Sequence, residues 1–103
     1  MESLSSPEAI NQVKKSVPGV EIIGEPVCAR MDMIVIATSP DSISKRKRFY
    51  LVYKNKCAIN LRELCDIPNV YNLEEIRIKE GYIHVCFNNG TSSNLPLVSF
   101  GLD

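Results

Sequence analysis

The sequence predicts an α+β fold: a small antiparallel sheet of about five or six strands, one N-terminal helix, one short internal helix and a C-terminal three-stranded meander. Three observations predict it. An apolar stripe at helical spacing stands near the N-terminus. Strict alternation of apolar and polar residues fills the last third. Turn signals separate short β-rich runs, without the regular strand–helix alternation of nucleotide-binding folds.

The elements follow in order. Residues 1–5 read as a flexible tail and 6–103 as a single globular domain. Ser6 can cap a helix and Pro7 suits its first position, where the missing N–H would be unpaired anyway. Ile10, Val13 and Val17 form one stripe, and Pro18-Gly19 ends a helix over 7–17. Residues 20–23 begin an extended run that Gly24 and Pro26 interrupt, as at an edge or a bulge. Met31 to Thr38 is nearly continuous and β-branched, which predicts a central strand covered on both faces. Ser39-Pro40-Asp41-Ser42 signals a turn. A strand follows at 48–54. Asn60 with Glu63 makes a capping box and Ile59 with Leu64 a hydrophobic staple, which predicts a short helix at 61–66 ended by Pro68. Glu74 to Lys79 alternates, Glu80-Gly81 turns, and Tyr82 to Asn88 alternates again with Ile83, Val85 and Phe87 on the core side. Asn89-Gly90 predicts a type I′ turn, which needs positive φ at both residues. The last strand, about 92–100, contains Pro96 and is therefore an edge.

Composition narrows the function classes. Hydrophobic residues make up 45% and charged residues 23% of the 103 residues, as in ordinary folded domains. Lys plus Arg equals Asp plus Glu at 12 each, which argues against a dedicated nucleic-acid binder. No apolar run is long enough to span a membrane, and Met1-Glu2-Ser3-Leu4-Ser5-Ser6 is unlike a secretory signal. The expected location is intracellular, cytoplasmic or nuclear, with cysteines reduced.

No cofactor, metal or catalytic signature stands out. Cys28, Cys57, Cys65 and Cys86 form no C-x-x-C pair, and His84 is the single histidine, so the cysteines read as small hydrophobes. His84 and Cys86 share a strand face with Cβ atoms about 6.5–7 Å apart, a poor spacing for a nucleophilic pair. Glu74 and Glu75 point to opposite faces. Phosphate-cradling glycine motifs are absent. Asn89-Gly90-Thr91 matches a glycosylation sequon that stays unmodified without export, and its turn chemistry explains the same residues.

The most conspicuous feature is the basic run Lys45-Arg46-Lys47-Arg48, with Tyr50 and Tyr53 following. At the lip of a sheet it can bind the phosphates of a phosphoinositide or of nucleic acid, or serve nuclear import, or simply be a solvated loop. A basic loop leading into Arg48-Phe49-Tyr50-Leu51-Val52-Tyr53 resembles the second strand of a pleckstrin-homology domain. That family ends in a long helix. This chain ends in strand-like residues and Gly101-Leu102-Asp103, so the pattern is broken.

Two readings result. The first is a non-enzymatic protein–protein interaction domain, an adaptor or scaffold of an intracellular assembly, whose partner protein docks on the C-terminal edge through Asn94, Leu95, Leu97 and Val98. Leu97→Lys is then expected to weaken binding and spare the fold. The alternative is a phosphate-recognition module, for phospholipid or nucleic acid, using Lys45, Arg46, Lys47, Arg48 and Tyr50.

Overall fold

The computed structural model describes residues 2–39, 43 and 45–102; most of the expected turn at 39–42 lies outside them. The chain forms two compact units, one up to Pro68 and one from Asn69 onward.

The first unit opens with helix α1 (Ser6–Ser16). Its cap is Ser5, one residue before the expected one. The Ser5 hydroxyl accepts the Glu8 N–H at 3.3 Å while the Glu8 carboxylate accepts the Ser5 N–H at 3.0 Å, a complete capping box. The residues before it are anchored. The Leu4 side chain is buried and its N–H donates to the Met31 carbonyl at 2.9 Å. Both Glu2 carboxylate oxygens lie 2.9 Å from the Cys57 N–H. This hydrogen bond, helped by Lys54, holds the Glu2 carboxyl below its ordinary value, and Glu2 in turn raises the Cys57 thiol.

Four antiparallel strands follow in the order β1 (Glu21–Arg30), β2 (Met33–Ser39), β3 (Arg46–Asn55) and β4 (Ala58–Pro68). β1 is an edge, and its register breaks between Ile23 and Val27, where Gly24 and Pro26 stand. β2 is central, as its apolar run predicts. Ile34, Ile36 and Val52 pack with Leu4, Ala9 and Val13, and Ile59 and Leu61 close the cluster from β4. Met33, Val35, Phe49, Leu51 and Ile67, on the opposite side of the same strands, are buried as well.

The predicted helix at 61–66 does not form. Those residues are the middle of β4, paired with β3 from Asn55↔Ala58 to Arg46↔Pro68. A capping box contributes about 1 kcal/mol. A continuous ladder with Ile59 and Leu61 on the helix-covered face outweighs it. The register shifts once, between Phe49 and Tyr50, so Leu64 is the bulged residue instead of a staple.

The second unit is the expected meander, β5 (Leu73–Lys79), β6 (Tyr82–Phe87) and β7 (Ser92–Pro96), in that order. Among the described residues seven strands thus form two sheets, not one of five or six. Ile83, Val85 and Phe87 are buried, as their alternation requires. The last strand is shorter than predicted, because residues Leu97–Phe100 form a 3₁₀ turn closed by Gly101.

The type I′ geometry expected at Asn89-Gly90 is found at the other hairpin turn of this unit. Glu80 and Gly81 both have positive φ, 54° and 79°, the type I′ signature between Lys79 and Tyr82. At the other turn only Gly90 is positive, at 90°. The Gly90 N–H donates to the Phe87 carbonyl at 3.2 Å and the Phe87 N–H to the Thr91 carbonyl at 3.0 Å, a three-residue loop with a glycine bulge. Asn89 instead accepts from the Thr91 N–H and hydroxyl at 3.1 and 2.7 Å, which leaves it no need of a left-handed backbone.

Candidate functional site

The basic run is built into β3. Lys45 precedes the strand, exposed and at φ 55°. From Arg46 onward side chains alternate between the two faces. Arg46 and Arg48 share a face and meet Asp66 on the neighbouring strand. Arg46 Nε lies 2.6 Å from Asp66 Oδ1, and Arg48 Nη2 donates to Asp66 Oδ2 at 3.1 Å. Arg46 Nη2 also donates to the Asp66 carbonyl at 3.0 Å, and Arg48 Nε stands 3.1 Å from Glu63 Oε1. Partial burial pushes the Asp66 carboxyl up, and the two guanidiniums outweigh this, so it lies below its ordinary value. Arg48 is held more firmly cationic, first by the Tyr50 hydroxyl and then by Asp66.

Lys47 points to the other side, beside Ile67 in register, and is only 7% exposed. Burial lowers its ammonium. Tyr50 is buried too, so its ring is not offered for stacking. The four cations of the run therefore do not converge on one surface. Two are matched to carboxylates, one is buried, and Lys45 alone of the four stands outside the strand. Asp66 lies 20 positions from Arg46 and 18 from Arg48, and no local motif announces it.

β7 is the edge of the second sheet. Its pairing parity follows from two hydrogen bonds, Phe87 N–H to the Thr91 carbonyl and Leu97 N–H to the Gly81 carbonyl at 2.9 Å. Residues 91, 93, 95 and 97 therefore direct their backbone groups toward β6, and Ser92, Asn94 and Pro96 direct theirs outward. The outward set is two N–H donors and three carbonyl acceptors, since proline has no N–H, and the Pro96 carbonyl already accepts the Ser99 hydroxyl at 2.7 Å. On the face shared with Ile83 and Val85 stand Leu95 and Ser93; on the other, Asn94 lies beside His84 and Pro96 beside Tyr82. The Tyr82 and His84 rings are 6.4 Å apart, and Tyr82 is 43% exposed.

The predicted edge residues divide accordingly. Asn94 is exposed and Leu95 half-buried on the strand. Leu97 and Val98 lie beyond it in the 3₁₀ turn, Leu97 buried and Val98 exposed. Leu97→Lys is therefore a core substitution, and Val98 is the surface position. Ser92, which carries an outward donor and acceptor, was legible from period-two alternation once the turn before it was placed.

Among the described residues no group of His, Cys, Asp and Glu is arranged to hold a metal ion, and no helix is long and apolar enough to cross a membrane. Comparison with protein-family models, with characterised proteins and with solved structures finds no match for this chain.

Proposed function

We propose that this chain is a non-enzymatic interaction module that accepts an extended segment of another protein along β7. One observation carries the reading. Among the described residues the two sheets present four edges, and three carry both charged side chains and a break in register, which discourage strand addition. β1 has Glu21, Glu25 and Arg30 and is interrupted at Gly24 and Pro26. β4 has Arg62, Glu63 and Asp66 and a bulge. β5 has Glu74, Glu75, Arg77 and Lys79 and an irregular register. β7 reads Ser-Ser-Asn-Leu-Pro; it is short and ends at Pro96, but has no charge and an unbroken register. An adaptor or scaffold role inside the cell is the setting we infer, and the four free cysteines are in keeping with it.

Phosphate recognition by Lys45–Arg48 has less support, because Arg46 and Arg48 already neutralise Asp66 and Glu63.

The test is amide NMR of the labelled protein titrated with extended peptides selected on it from a displayed random library. Shifts centred on 92–96 are expected, insensitive to salt. Shifts confined to 45–48 and lost at high ionic strength refute the reading.

A further inference from the structure

We infer that the segment accepted by β7 is short, uncharged and alternating, with an apolar residue set against Leu95 and a polar one against Asn94. This rests on the strand-addition reading above and specifies its occupant.

Length follows from the backbone. The outward groups run only from Ser92 to Pro96; Pro96 has no donor and its carbonyl already accepts the Ser99 hydroxyl at 2.7 Å, and the chain then turns into the 3₁₀ segment. An added strand has about two full bonding positions, at Ser92 and Asn94, and ends there. Affinity from so few main-chain bonds is modest, and side chains must supply the selection.

Side-chain chemistry follows from the register. A residue placed opposite Leu95 extends the row Ile78–Ile83–Leu95, whose centre, Ile83, is fully buried. Leu95 bonds inward to β6, so across the open edge it faces its new neighbour as a non-hydrogen-bonded pair, the closer of the two cross-strand arrangements. A charge there enters an apolar row with no counter-charge on β7. A residue opposite Asn94 extends the row Arg77–His84–Asn94, where a hydroxyl or amide finds hydrogen-bond partners. Val98, 75% exposed just past the strand, adds apolar surface at the same end.

The probe is a capped, dye-labelled synthetic peptide of alternating valine and threonine, compared with the same peptide carrying lysine or glutamate in place of valine. Binding is read by fluorescence anisotropy against the native chain and Asn94→Pro, which deletes an outward N–H and leaves the β6 ladder intact. The expected result is binding by the native chain, loss with Asn94→Pro, and binding weaker by about tenfold or more for the charged peptides. Because the peptides are what vary, this comparison holds whatever the stability of any variant. Loss with Asn94→Pro but equal binding of charged peptides overturns the chemistry and leaves strand addition standing. Equal binding to Asn94→Pro overturns both. No peptide binding, together with concentration-dependent self-association of the protein, overturns this occupant in favour of a second copy of the chain.

Discussion

Leu97 and Val98 are consecutive and opposite: Leu97 keeps 3% of its surface exposed and Val98 keeps 75%. The 3₁₀ turn that contains both places one in the interior and the other in water. Lysine at 97 puts an ammonium among apolar side chains and should cost about 3 kcal/mol or more. Lysine at 98 should change stability by no more than about 0.5 kcal/mol. Urea unfolding of the two variants separates them, and equal midpoints would show that the turn is not seated as described.

Asp66 joins Arg46 and Arg48 across β3 and β4. Asp66→Asn keeps an acceptor and removes the charge, and the expected stability loss is about 1 kcal/mol because the site is partly exposed. The same change leaves two guanidiniums without their shared counter-ion. Weak, salt-sensitive binding of pyrophosphate should then appear where the native protein shows none, and calorimetry at two ionic strengths checks this.

Glu2 gives stability a dependence on pH. Its carboxyl is lowered in the folded chain from the ordinary 4.5, so the unfolded chain binds the proton more readily. The contribution is fully present above that ordinary value and is lost as pH falls through the lower folded value. Glu2→Gln should therefore destabilise at neutral pH and converge on the native protein in acid. Thermal melts across that range decide it, and a constant difference at all pH values would assign the effect to packing.

Glu80 occupies a left-handed backbone position that costs a residue with a Cβ about 1 kcal/mol. Asparagine tolerates that region and completes the preferred Asn-Gly pair with Gly81. Glu80→Asn should stabilise the protein by about 0.5 kcal/mol, raising the melting temperature, with β5–β6 pairing unchanged by amide exchange.

Where a pattern repeats over several residues, the sequence was readable. The alternation of Ile76, Ile78, Ile83, Val85 and Phe87 located β5 and β6, and the apolar run at 31–38 located the central strand. Short signals misled. The capping box of Asn60 and Glu63 describes one helical turn, and the tertiary ladder to β3 claimed both residues, turning Glu63 toward Arg48. Asn89-Gly90 carries the stronger turn sequence, and Glu80-Gly81 adopts the tighter geometry, because the Asn89 side chain satisfies Thr91 directly. The division of seven strands into two sheets has no local signature. Nor has the pairing of Arg46 with Asp66, which turned an apparent cationic cluster into an internal ion-pair network. The open edge was half legible, since Pro96 marked it, but which of its residues faced outward depended on a register that only the fold supplies.

The hydrogen bond between Glu2 and Cys57 spans 55 positions. During synthesis, helix α1 leaves the ribosome ahead of the sheet it packs on, yet the turn that anchors Glu2 is made only after most of the first unit has emerged. Closing so long a loop is entropically costly and comes late. The segment ahead of α1 is thus among the last parts of that unit to settle fully, and a nascent chain stalled before Cys57 holds it through Leu4 and Met31 but not yet through Glu2.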